Sequence, residues 1–218
     1  MSASGVQAFV HRFEPARAPD ALTLLLLHGT GGDENDLLEL GRALDPRAAL
    51  LSPRGQVSEH GANRWFRRLA EGVFDTDDLL ARTDQLAAFV TAAVARYRLD
   101  ASRLVAVGFS NGANIAAALL LRHPHLLRAA VLFAAMVPLA DPPVADLSGV
   151  AVFLAAGRAD PIAPPGQAER LAGQLTDRGA AVELRWHPGG HEIDPRSIAQ
   201  ATTWLGKLRA ATSTDPLP

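Results

Sequence analysis

The 218 residues contain no cysteine. That removes thiol nucleophiles, disulfide frameworks and cysteine-ligated metals together. Lysine occurs once, at Lys207, so the cationic side chains are almost all arginine. Neither sign of charge is in excess: 21 Lys and Arg against 23 Asp and Glu leave −2 at pH 7. With no basic surplus and no run of five or six like charges, the chain lacks the electrostatic footprint of a nucleic-acid binder. Long hydrophobic runs are missing as well. The most apolar early stretch, 22–27, is far too short to span a bilayer. Residues 1–20 carry Arg12, Glu14 and Arg17 and have no apolar stretch of signal-peptide length. The expectation is a cytoplasmic protein with no stable membrane insertion.

What is present points to a globular α/β chain. Hydrophobic residues make up 48% of the sequence, enough for a large buried core. No repeat or internal linker interrupts it, so one domain is expected over 1–211, with a polar tail at 212–218. Short apolar runs at 6–13, 22–27, 48–52, 104–107, 130–134, 150–156 and 181–186 read as strands. Several are apolar throughout rather than alternating, as strands covered on both faces are. Leu86, Phe89, Val90, Ala93, Val94 and Tyr97 form a helical stripe, and Ile198, Ala201, Leu205 and Leu208 form another. A further helix over 166–175 is entered through Pro164 and Pro165. Alternating strands and helices imply a mainly parallel central sheet with helices on both faces. Chemistry in such sheets sits beyond the carboxyl ends of the strands.

The strongest local signal is Gly108-Phe109-Ser110-Asn111-Gly112, preceded by an apolar strand and followed by a helical run over 113–121. A serine on so sharp a strand-to-helix turn projects clear of the sheet, and positions two before and two after it tolerate only small residues. Ser110 is therefore the candidate nucleophile. It needs a base, and in this arrangement the acid and then the histidine follow the serine in sequence. His123 and His125 sit at the end of the next helix. His191 follows the turn Pro188-Gly189-Gly190 just past a strand, so it is favoured as base, with His187 as the alternative. Asp160 closes the strand at 150–156 and would orient the imidazole; a turn-capping role is the competing reading of an Asp-Pro pair.

The loop His28-Gly29-Thr30-Gly31-Gly32 can bring a backbone N–H close to a substrate. It lacks the G-K-[ST] ending of a phosphate loop. The backbone N–H groups of Thr30 and Asn111 are the candidate oxyanion donors. His28 is expected to fix the loop. The 136–149 connection is too short for a cap domain, which leaves an open site. Trp65 and Phe66, with Phe74 nearby, are candidates to line an acyl pocket, burial in the core being the competing outcome.

With these residues in place the chain resembles the phospholipase/carboxylesterase family of α/β-hydrolases, the group that includes acyl-protein thioesterases. The resemblance covers about 24–208. It is carried by the 27–34 loop, Trp65-Phe66-Arg67-Arg68, the Ser110 turn, Gly157-Arg158-Ala159-Asp160-Pro161-Ile162 and Gly189-Gly190-His191-Glu192-Ile193. It implies an α/β-hydrolase fold with no cap domain and a triad on Ser110, Asp160 and His191. Its oxyanion donors fall on Thr30 and Asn111. Thr30 stands where the thioesterase branch usually has leucine, and Asn111 where it usually has glutamine. The chain is more similar to the small bacterial carboxylesterases. The expected activity is hydrolysis of small short- or medium-chain carboxylic esters through an acyl-enzyme, without metal or organic cofactor. A thioesterase or lysophospholipase using the same triad is the first alternative, and a non-catalytic ligand-binding protein on the same fold the second. The expected partner is a small-molecule ester; a homodimer is left open.

Overall fold

The computed structural model describes residues 9–212 of the protein. The 6–8 part of the first expected strand and the 213–218 part of the expected tail lie outside the described residues. Within them, seven strands form one sheet: β1 (His11–Glu14), β2 (Thr23–Leu27), β3 (Ala49–Pro53), β8 (Leu104–Phe109), β9 (Ala129–Phe133), β10 (Ala151–Gly157) and β11 (Ala181–His187). Their order across the sheet is β1-β3-β2-β8-β9-β10-β11. All neighbouring pairs are parallel except β1 with β3, where His11 faces Pro53 and Glu14 faces Leu50.

The continuous apolar runs are explained by two cores, one on each face. Leu25, Leu27, Leu104, Ala106, Leu132 and Leu154 point into the first. Leu24, Leu26, Val105, Val107, Val131 and Phe153 point into the second. Successive side chains leave opposite faces of a strand, so a strand buried on both sides must be apolar at every position. Helices α2 (Thr76–Tyr97), α3 (Asn111–Arg122) and α4 (Pro165–Thr176) pack on the first core; α1 (Leu38–Leu44) and α5 (Pro195–Thr212) pack on the second. The start of α2 is set by Asp75, whose carboxylate accepts the Asp78 N–H.

Between β3 and α2 the chain makes two small hairpins, β4 (Val57–Glu59) with β5 (Ala62–Arg64) and β6 (Arg68–Ala70) with β7 (Val73–Phe74). They lie against the carboxyl edge of the sheet: Asn63 O accepts the Gly31 N–H, and the Trp65 N–H reaches the Asn111 side chain. The connection from β9 to β10 holds no helix or strand. No helix among the described residues is long and apolar enough to cross a membrane.

Helices α2 and α3 are tied at their surface by Asp84, which accepts from Arg122 Nε at 2.6 Å and Nη2 at 2.7 Å and from His123 Nε2 at 2.9 Å. The Arg122 guanidinium holds the Asp84 carboxyl down, to about 2 from an ordinary 3.8. A carboxyl depressed on folding contributes stability above its unfolded value and loses it as pH falls through the folded one. The pair is 35–45% exposed, so its contribution is at most about 1 kcal/mol. Asp84→Asn should lower urea-measured stability by about that amount at pH 7. The gap between variant and parent should close as pH falls from about 3.8 to 2.

Candidate active site

Ser110 sits between β8 and α3 with φ 52° and ψ −116°. An L-residue at positive φ is costly, and the turn is held by neighbours on both sides. The Ser110 N–H donates to Phe133 O at 2.9 Å, and Ser110 O accepts the Asn114 N–H at 2.9 Å. The flanking glycines are required by space. A Cβ on Gly112 would stand 1.9 Å from Leu27 O, and one on Gly108 2.6 Å from Gly112 O. Strand β2, strand β8 and helix α3 therefore meet at a point that no side chain can enter.

The hydroxyl meets its partner beyond the carboxyl ends of the strands. His191 Nε2 lies 2.7 Å from Ser110 Oγ, and His191 Nδ1 lies 2.8 Å from Asp160 Oδ2. Asp160 is fully occupied: its other oxygen, Oδ1, accepts the N–H groups of Ile162 and Ala163, both at 2.8 Å. One Asp160 oxygen thus caps the turn while the other faces the imidazole. The loops bearing Asp160 and His191 touch through backbone. A Cβ on Gly157 would lie 2.3 Å from Gly190 O, and Gly189 O accepts the Ala159 N–H at 3.1 Å.

His187 ends β11 beneath this turn, is 3% exposed, and its Nδ1 has no partner among the described residues. The structure does not bring it to Ser110. His28 is equally buried. Its Nδ1 donates to Gly29 O at 2.6 Å and its Nε2 accepts the Gly55 N–H at 2.9 Å. That pattern fixes one neutral tautomer, and burial pushes its pKa below the ordinary value. It pins the loop that carries Thr30. The same loop is stapled by Asn63 Nδ2 to Gly32 O at 2.9 Å and by Arg64 Nη1 to the Thr30 hydroxyl at 2.8 Å. Thr30 and Asn111 line one cavity with Ser110 and His191.

That cavity measures about 310 Å³, near the lower end for small-molecule sites. The expectation that Trp65 and Phe66 line it is corrected by the structure. Both are core residues, 2% and 0% exposed. Trp65 Nε1 donates to His28 O at 2.8 Å, its N–H donates to Asn111 Oδ1 at 2.8 Å, and Phe66 packs edge-on against Phe74 at 5.1 Å. They support the loops from behind because the β5–β6 segment turns their side chains inward. Phe74, the third aromatic of that loop, does line the cavity, together with Phe109, Met136 and Ile162, and the polar lining includes Arg64, Arg68, Glu71 and Asn114. Asn114 was legible in principle, lying one helical turn past Ser110 on α3. The arginines were not, since nothing in a run of irregular loop tells which side chains face inward.

The profile of the Phospholipase/Carboxylesterase family matches residues 10–209. MhqD of Bacillus subtilis (strain 168), whose name assigns it to the hydrolases, is 46% identical over 181 residues, which is 83% of this chain and 90% of that protein. The crystal structure of the Bacillus cereus carboxylesterase is 43% identical, with a TM-score of 0.89 over 91% of this chain and 94% of its own. A carboxylesterase structure from Mesorhizobium loti is 36% identical, with a TM-score of 0.87 over 91% and 95% of the two chains. The chain belongs to the phospholipase/carboxylesterase family of α/β-hydrolases.

Proposed function

We propose that this protein is a serine carboxylesterase acting on small esters with short or medium acyl chains, built as one hydrolase domain over 1–211 with a tail at 212–218. The observation that carries the reading is the continuous hydrogen-bonded chain from Ser110 Oγ through His191 to Asp160 Oδ2, with steps of 2.7 and 2.8 Å. Ser110 Oγ attacks the ester carbonyl carbon while His191 Nε2 takes its proton. The oxyanion is held by the N–H groups of Thr30 and Asn111, the latter at the start of α3 where the helix end adds positive potential. The intermediate collapses, the carbon–oxygen bond to the alcohol breaks, and His191 returns the proton to the leaving oxygen. Water then attacks the acyl-enzyme by the same route, releasing the acid and restoring Ser110. Asp160 fixes the imidazole with Nδ1 protonated and stabilises its cationic form. The size of the cavity and the family's carboxylesterases support small substrates.

A fluorophosphonate probe tests this directly. It should label the folded protein, and the adduct should map to the tryptic peptide 104–122, which contains Ser110. Hydrolysis of short-chain nitrophenyl esters should be lost in step with that labelling. Labelling elsewhere, or labelling that survives denaturation, would count against the assignment.

A further inference from the structure

One wall of the Ser110 cavity is rich in hydrogen-bond donors. Asn114 Oδ1 accepts the Met136 N–H at 2.7 Å, which orients the amide and turns its Nδ2 the other way, toward the cavity it lines. Arg64 is buried, its side chain 4% exposed, with Nη1 on the Thr30 hydroxyl beside the oxyanion loop. Its remaining contacts are the Phe66 carbonyl at 3.3 Å and Glu59 at 3.3 Å, both through Nε. Arg68 stands next to it: burial and the Arg68 charge both push the Arg64 pKa down. Glu59 is shared, since Arg68 Nε also donates to its two oxygens at 3.0 and 3.1 Å. One carboxylate thus serves two guanidinium groups.

The second carboxylate at this wall is Glu71, in the β6–β7 turn. It lines the cavity and pairs with Arg68 Nη1, yet its side chain is 67% exposed. An exposed ion pair of this kind contributes little, so the Glu71 carboxylate is easily displaced. A neutral acyl chain set against this wall would leave Arg68 with its surface partner Glu71, whereas a substrate carboxylate can take over that donor.

We propose, on the esterase reading above, that the wall is a carboxylate subsite. The preferred substrates are small esters bearing a free carboxylate a short chain away from the scissile bond. Arg68 donates to that carboxylate beside the fixed Arg64 charge, Asn114 supplies a neutral donor, and the substrate displaces the Glu71 carboxylate from Arg68. Planar guanidinium groups suit a carboxylate, which accepts two parallel hydrogen bonds.

The matched probes are monomethyl succinate against methyl butyrate, with the charge on the acyl side, and acetoxyacetate against propyl acetate, with the charge on the alcohol side. In the full-length enzyme at low salt, kcat/KM should favour the charged member of at least one pair, and rising ionic strength should erode the preference. Arg68→Gln should cut kcat/KM for that charged ester about tenfold more than for its neutral partner. Glu71→Gln should act in the opposite direction by removing the internal competitor. Calorimetric titration of Ser110→Ala with monomethyl succinate and acetoxyacetate reads the subsite without catalysis. Equal rates for both members of both pairs, or binding that Arg68→Gln does not weaken, overturns the subsite while leaving the esterase intact. Arg68-dependent binding with no hydrolysis of any of the four esters would overturn the esterase reading and keep the subsite.

Discussion

Asp160→Asn should lower kcat by roughly 10³–10⁴-fold with little loss of stability. Asp160 Oδ1 holds the Ile162 and Ala163 N–H groups, and the asparagine carbonyl can take over that duty. Its amide nitrogen then faces His191 Nδ1, where the carboxylate now accepts at 2.8 Å. An N–H donor there stabilises the tautomer with the proton on Nε2. That nitrogen faces Ser110 Oγ and would no longer be free to take its proton. Steady-state kinetics with a short-chain nitrophenyl ester, set beside a thermal melt, separates this from unfolding. His191→Ala should cost a similar factor, whereas His187→Ala should keep kcat within about tenfold, because His187 lies under the turn and makes no bond to Ser110. The reverse order would move the base to His187.

The second large effect concerns folding. Gly112→Ala should cost roughly 5 kcal/mol or more and yield mostly unfolded chain, well beyond the usual range for one substitution. The added methyl would stand 1.9 Å from Leu27 O and 2.5 Å from His28 O. These are backbone atoms at the end of β2, and they cannot step aside as a side-chain tip can. Gly173→Ala is the matched control. A Cβ there meets nothing within 4 Å in the middle of α4, so helix propensity should give a gain of about 0.5–1 kcal/mol. Circular dichroism and urea titration of the two variants measure the contrast. A soluble Gly112→Ala protein with parental stability would show that the Ser110 turn is looser than its contacts imply.

The sheet was legible because its central strands are buried on both faces. Runs such as 22–27 and 150–156 admit few other structures, and they fall within one residue of β2 and β10 at either end. Helix α1 escaped notice. Its seven residues are too few to display a period, and only the second core reveals why Leu38 and Leu44 are apolar. The hairpins at 57–74 escaped for a related reason. Their strands are two or three residues long, fixed by contacts with Thr30, Asn111 and one another rather than by a local pattern.

Ser110, Asp160 and His191, which hydrogen bonds bring together, each follow closely on the carboxyl end of a strand and carry side chains that their neighbours lack. The walls of the cavity obey no such rule. Trp65 and Phe66 look like ligand-facing aromatics in sequence, yet they turn inward, while Arg64, in an unremarkable position, faces the cavity. Inward and outward positions in an irregular segment are decided by tertiary contacts, so shape selectivity is the part of the molecule that sequence alone conveys least.

The close approach of Gly157 to the 189–190 peptide has a dynamic corollary. With no side chain between them, the two loops form a rigid tandem, and imidazole and carboxylate ride together when that end of the sheet breathes. Relative motion between that end of the sheet and the Ser110 turn would then fall on the contact between His191 and the hydroxyl. Temperature or distant substitutions would be felt as a changing gap to the nucleophile, while the acid–base couple keeps its spacing.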